Sequence, residues 1–425
     1  MFPRYCFWRH SYSPPIHFIF SLYSAFALLH TGEHRLLRAQ DNPFTIERTI
    51  ATQGFDGKMC WVHARAGILP IGEGEHSVVM TTQKLQLSGS DVFYALNELR
   101  TEDGGVSWSS PVEHSSFARE PFSFDGISEL QITVCDFAPK WHYNTQTLLG
   151  IGQTVVYENN RVRRVRPRHV AFATYNASAK NWAPWRKLEL PREEKFRDAG
   201  AGSVQRHDLE NGDILVPIYF KEMKATQYST TVLRCSFDGE QLTYKTHGNE
   251  MTVPVKRGLY EPSIAEHAGK LYLTMRNDDH AYVSVCNNRD SLKFSPPKKW
   301  TFDDGSDLGS YNTQQHWLTH AKHGLWLAYT RRGANNDHVF RHRAPLFIAK
   351  VDPISLHVIR STERILVPEK GARLGNFGVT EISPNETWVT VTEWMQGPGK
   401  SAHDPSSIVA RGADNRIWVA KVIWK

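Results

Sequence analysis

Several cheap signals are missing from this chain, and each absence narrows what it can be. It has five cysteines in 425 residues and no C-x-x-C pair, which argues against a zinc module. Cys6 lies in the first forty residues. Cys60, Cys135, Cys235 and Cys286 are far apart in sequence, compatible with one or two disulfides in an oxidising compartment or with buried thiols. No window keeps a 3.6-residue apolar period over several turns, which argues against helical layers. The net charge of +6 is spread out, with no basic stripe interleaved with aromatics, so nucleic acid is not an expected partner. Arg164, Arg166 and Arg168 alternate as on the solvated face of a strand. After residue 45 there is no Ser/Gly-rich or Pro-rich linker and no long charge run. Residues 45–425 are therefore expected to form a single domain.

Aromatics and chain punctuators are present in quantity. Thirteen Trp, 29 Gly and 22 Pro in a chain that is 40% hydrophobic suit an all-β sandwich, barrel or propeller. Short apolar runs recur between polar turns, among them Ser77–Thr81, Val92–Leu96, Val155–Tyr157, Ile214–Tyr219, Lys270–Met275, Leu325–Tyr329 and Thr387–Val391. At the N-terminus, Arg4 and Arg9 precede the apolar run Ile16–Leu29, which is of signal-peptide length. Residues 1–40 read as a leader with cleavage near Ala39, giving a secreted or periplasmic protein. No later segment is apolar enough to span a bilayer.

The most specific motif is Thr101-Glu102-Asp103-Gly104-Gly105-Val106-Ser107-Trp108, which fits S/T-x-D-x-G-x-x-W, the Asp-box. Thr101 and Asp103 can bond the backbone of a tight turn, and the glycines supply positive φ. Degenerate echoes follow at Asn176–Trp182, Cys235–Gly239 and Asn287–Phe294, at intervals of roughly 50 to 70 residues, about one propeller blade each. That interval predicts a β-propeller of six blades, with seven as the alternative.

Two polar series stand out as chemistry. Tyr260–Arg276 reads as strand, turn at Gly269, strand, so Glu261 and Arg276 meet at one end of a hairpin. Arg331–Arg343 carries Arg331, Arg332, Asp337, His338, Arg341, His342 and Arg343. Read as a strand, it puts Arg341 and Arg343 on one face and His338 on the other. Guanidinium forks bind carboxylates bidentately. Gln315 and His316, in Tyr311–Trp317, suit sugar hydroxyls, and His63 and His142 sit beside tryptophans. His316, His320 and His323 have metal-like spacing but no acidic partner in register, so no metal and no cofactor is expected.

These motifs resemble the sialidase (neuraminidase) superfamily. The segment Gln86–Trp108 is similar to the family's run of Ser, Asp and Asp-box, with Asp91 where the family keeps its general acid/base. Glu261–Arg276 is similar to the family's E-x-x-x-x-E-x-x-x-G-x-L-x-x-x-x-R segment, in which a Glu assists the nucleophile and the Arg is one of three that clamp the substrate carboxylate. Arg65, before Pro70, falls near the first clamp Arg, although the F-R-I-P run itself is absent. The third clamp Arg would be Arg341 or Arg343. The resemblance implies a secreted exo-α-sialidase-like glycosidase acting on a terminal acidic sugar. Asp91, Glu261, His338 and His63 are its expected catalytic groups, and Arg65, Arg276, Arg332, Arg341, Arg343, His142, Gln315 and His316 its substrate contacts.

Sialidases attack with a tyrosine, and this chain has none after Tyr329. An Arg clamp with several His and no late Tyr also resembles propeller lyases of rhamnose–glucuronate or ulvan-like glycans. In those, arginine neutralises the uronate carboxylate, and a His or Tyr removes the C5 proton for β-elimination. A glycan-binding propeller without catalysis is the third expectation.

Overall fold

The apolar runs form strands because their residues are buried on both faces: in Ile214–Lys221 every position but the last is buried, so the strand lies inside a stack of sheets. The computed structural model describes residues 42–72, 74–87, 91–397 and 403–425. The expected leader, residues 1–40, lies outside them. Among the described residues no helix is long and apolar enough to cross a membrane. The one α-helix among them is a single turn, Ser406–Val409.

Residues Pro43–Lys425 pack as one compact unit, all-β and propeller-like. Its strands make hydrogen-bonded antiparallel sheets set around an axis. Five sheets are each drawn from one contiguous stretch of chain: Met59–Glu113, Glu120–Lys187, Asp198–His247, Tyr260–Lys299 and His316–Val367. A composite sheet closes the ring. In it Phe44–Thr52 pairs with Ile417–Trp424, which pairs with Glu386–Trp394. The expected six or seven equal blades are thus corrected to five contiguous blades, the ring being closed by a sheet shared by both ends of the folded unit. The sheet Glu120–Lys187 has seven strands rather than four, so the spacing of the Asp-box echoes is an unreliable ruler.

The inner strands run the same way. Met59–Pro70 packs against Ile127–His142 on one side and against Gly378–Ser383 on the other. Each inner segment carries one non-glycine residue in the left-handed region: His63, Asp136, Ser203, Glu261, Asn312 and Asn376, with φ from 46° to 59°. At His63, Asp136 and Glu261 the strand register also shifts, the mark of a β-bulge that re-aims a side chain. Strained backbone repeated once per sheet at one level of the axis points to a site there.

The Asp-box forms as its residue types require. Thr101 Oγ1 donates to Asp103 Oδ1 at 2.8 Å, and the backbone N–H groups of Val106 and Ser107 donate to Asp103. Gly104 and Gly105 have φ of 67° and 80°. Trp108 packs on Trp388 of the composite sheet. The box ends the strand Phe93–Thr101, whereas Asp91 precedes it, so the two lie roughly 30 Å apart at opposite ends.

Two local expectations are corrected. Arg168 is buried, not solvated: it lies 3.5 Å from Asp198 and stacks over Tyr219 and Tyr228. Residues 337–343 are not a strand. Phe340–His342 is a tight 3₁₀ turn with Arg341 at φ 60°, so the alternation assumed for Arg341 and His338 does not exist. All four described cysteines are free and buried.

Candidate functional site

The six left-handed residues divide into two clusters. One centres on Asp136. Ser203 Oγ donates to Asp136 Oδ1 at 2.6 Å, Arg65 Nη2 lies 3.2 Å and His63 Nε2 3.2 Å from the same oxygen, and Asn376 Nδ2 donates to it at 3.2 Å. Arg65 also donates to Ser203 Oγ at 2.8 Å. Burial alone would raise the Asp136 carboxyl, but His63, Arg65 and the Ser203 hydroxyl outweigh it and hold the group well below the usual carboxylate range. Burial pushes His63 down to about 4, against the pull of Asp136, so its imidazole is neutral near pH 7. This cluster is charge-balanced: one carboxylate faces one guanidinium.

The other cluster is not balanced. Arg276 Nη1 donates to both Glu261 oxygens, at 2.7 and 2.6 Å, and Nη2 donates to Asn312 Oδ1 at 3.2 Å. Burial works against the Arg276 charge, but Glu261 outweighs it and raises its pKa. The guanidinium lies over the Tyr260 ring. Tyr260 Oη donates to Asp278 at 2.5 Å and accepts from Arg257 at 2.7 Å. Arg343 is 3% exposed and donates to the Asn312 carbonyl. Burial, then Arg276, Arg341 and Arg373, push its pKa well below the arginine range. Arg373, 6% exposed, donates to Gln396 and is pushed down to about 10 by burial and then Arg341, while Asp91 pulls the other way. Arg341 is lowered by burial and then Arg276, again opposed by Asp91. Gly375 makes room for this crowding, because a Cβ there would come 2.7 Å from Arg343 Nη1.

The structure therefore gathers Asp91, Glu261, Arg276, Arg341 and Arg343 at one end of the ring. Asp91 is exposed, and its charge reaches His63, Arg341 and Arg373. Arg65 spends Nη2 on Asp136 and Ser203, while its Nε and Nη1 are buried and meet no partner among the described residues. The remaining residues face elsewhere. His142 ends the inner strand on which Asp136 is the bulge, six positions and roughly 20 Å away, where it meets Thr145 and the Gly212 carbonyl. Gln315 spends its amide on Thr274, Ser310 and Thr313. His316 is buried 2.7 Å from Ser263 Oγ, and burial, then Arg65, push it to about 3. Arg332 pairs with Asp307 at 3.2 Å and His338 with Glu369 at 3.1 Å. Among the described residues no group of His, Cys, Asp and Glu could hold a metal.

Sequence reasoning missed Arg373, Asp136, Ser203, Asn312 and Asn376. A usable signal existed. Asp136, Ser203, Asn312 and Asn376 are each a small polar residue just ahead of, or inside, an apolar inner strand, and Asn and Asp in particular tolerate left-handed φ. Arg373 had no comparable mark.

No family model and no curated protein matches the chain. Solved structures do. A protein of unknown function from Dyadobacter fermentans DSM 18053 is 13% identical with a TM-score of 0.56, the match covering 89% of this chain and 99% of that one. The Hadza microbial sialidase Hz136 is 12% identical with a TM-score of 0.57, covering 85% of this chain and 65% of that one. Trypanosoma rangeli sialidase in complex with the inhibitor DANA is 12% identical with a TM-score of 0.51, covering 85% and 55%. The chain thus spans 55–65% of the length of these two sialidases. Identities this low speak for architecture and not for activity: the chain has a sialidase-like propeller fold.

Proposed function

We propose that the arginine-rich end of the ring binds a terminal acidic sugar through its carboxylate, and that the protein is a secreted, sialidase-type glycoside hydrolase. One observation carries this reading: Arg343 and Arg373 are buried guanidinium groups that meet no carboxylate partner of their own among the described residues, an arrangement that is costly unless an anion arrives. Arg276 and Arg343 would hold the sugar carboxylate. Asp91, exposed beside the arginines, would protonate the leaving oxygen. Glu261 would orient the attacking group.

Two tyrosines lie against this cluster, but the Tyr260 hydroxyl is engaged by Asp278 and Arg257, the Tyr311 hydroxyl meets His342 Nδ1 at 2.6 Å, and burial raises the pKa of both. Direct attack by water between two carboxylates therefore fits these residues better than a tyrosyl intermediate. A β-eliminating lyase is the second reading. What favours it is His63, a neutral imidazole with its Nδ1 unpartnered among the described residues.

The test is turnover of a chromogenic sialoside and of a uronate-containing oligosaccharide, with sugar release and ultraviolet absorbance followed together. Release of the acidic sugar, lost in Asp91→Asn and Glu261→Gln, supports the hydrolase. Ultraviolet absorbance of an unsaturated uronate, lost in His63→Gln, replaces it with the lyase. Binding without turnover replaces both with a glycan-binding propeller.

A further inference from the structure

The charges of the arginine cluster can be counted. Arg276, Arg341, Arg343 and Arg373 crowd together, Arg276 and Arg343 both on Asn312, and burial first and their mutual repulsion second lower the pKa values of the last three. Two carboxylates act on them, Glu261 and Asp91. Arg257 and Asp278, alongside, pair with each other at 2.6 and 2.7 Å and cancel. Four cations against two anions leave two positive charges over. Glu261 is spent on Arg276, so the excess falls on Arg341, Arg343 and Arg373. Asp91 opposes it at Arg341 and Arg373, and Glu261, from its place on Arg276, opposes it at Arg343.

The surplus is also directional. The Nε atoms of Arg276, Arg343 and Arg373 are buried and meet no partner among the described residues. Arg343 is tied to the Asn312 carbonyl on one side of the cluster and Arg373 to the Gln396 amide on the other. Both of those partners are neutral. Arg373 is further fixed by Trp394 and Phe340, whose rings flank its guanidinium. A single carboxylate can accept a fork from Arg276 and Arg343, but that leaves Arg373 uncompensated. A buried guanidinium held in place by two aromatic rings and one amide is a built site for an oxyanion.

We propose that the bound sugar carries two negative charges, a carboxylate on Arg276 and Arg343 and a second oxyanion, a sulfate ester or another carboxylate, on Arg373 and Arg341. This rests on the acidic-sugar reading and adds to it a substrate class: sulfated or doubly carboxylated sugars in preference to singly charged ones. Specificity of this kind comes from the penalty of leaving a buried charge unpaired when the wrong ligand binds.

The experiment is calorimetric titration of the full chain with methyl glucuronide, its O-sulfated forms, a di-uronide and N-acetylneuraminic acid. The expected result is that a doubly charged ligand binds about tenfold or more tighter than its singly charged parent. In Arg373→Gln that preference collapses toward unity, while in Arg343→Gln binding of all four ligands falls. Equal affinities in the parent protein, or an unchanged preference in Arg373→Gln, overturn the inference and leave the acidic-sugar reading intact. Failure of every ligand to bind overturns both. Should Arg373→Gln fold poorly, Arg373→Lys serves, because it keeps the charge and loses the fork, so the preference still drops.

Discussion

Two clusters built from the same strained backbone positions meet opposite electrostatic fates. Around Asp136 each charge has a partner. Arg65, His63, Ser203 and Asn376 close on the carboxylate, one guanidinium against one carboxylate, with no charge in surplus. Around Arg343 the charges are left over. The first arrangement fastens three inner strands and the composite sheet together at the axis. The second is held in place by its neighbours at an energetic disadvantage. A propeller can carry such a disadvantage because its sheets are anchored elsewhere, by clusters such as the one joining Phe44, Trp326 and Trp424. Function is therefore to be sought where the structure is least satisfied.

The contrast can be broken most severely at its balanced side. Asp136→Ala leaves Arg65 buried without a counter-charge and should cost about 3–5 kcal/mol in urea unfolding. A much smaller loss would mean that Asp136 is not the fastener described. On the unbalanced side Arg276→Ala, which also frees Glu261, should weaken binding of an acidic sugar by roughly 2–5 kcal/mol by titration calorimetry. Affinity within twofold of the parent would remove the clamp.

pH sharpens the comparison. His63 and His316 are held at about 4 and about 3 in the fold, against 6.5 unfolded. Between those values the unfolded chain binds more protons than the native one, so stability falls as pH drops from about 6.5 toward 4. His316→Gln should flatten that slope in thermal unfolding, and an unaltered slope would show that the ring is not the buried neutral group inferred. For Arg373, at about 10 in the fold, the ligand-free Arg373→Gln protein should be as stable as the parent or slightly more so, because a repelling buried charge is gone. A clear loss would mean that its stacking on Trp394 matters more than its charge. The smallest effect on binding is expected at the opposite end of the ring. His142→Ala should lose about 1 kcal/mol of stability with its two hydrogen bonds and leave glycan affinity unchanged, and any loss of affinity would put the site at the wrong end.

Much of the architecture could be read before any coordinates. The Asp-box needs only local backbone chemistry, so Thr101, Asp103 and the two glycines announced it. The hairpin joining Glu261 to Arg276 was legible for the same reason, its turn being short. The repeat was harder to measure, because the sheet Glu120–Lys187 takes three strands more than a four-stranded unit. Arg65 and Arg373 show where single-chain reading fails. Arg65 sits near a family-like proline and reads as a clamp, but its pairing with Asp136, seventy-one positions away, is announced by no local pattern. Arg373 lies between glycines in what reads as a loop, and its importance comes from charges contributed by three other sheets. Gln315 and His316 looked ready for sugar because they are polar, and they are consumed by neighbours the sequence places far off.

The pairing of Phe44–Thr52 with Ile417–Trp424 sets a schedule for synthesis. Asn376 and Arg373 can be translated and even pleated before it, but the strand that fastens their sheet onto the beginning of the ring is made after every other strand of that ring. Until those eight residues emerge, the arginines have no enclosure in which to crowd, and the growing chain is spared their mutual repulsion. Unpeeling that terminal strand, by truncation or by force, would disarm the glycan site from a distance while leaving every one of its side chains in place.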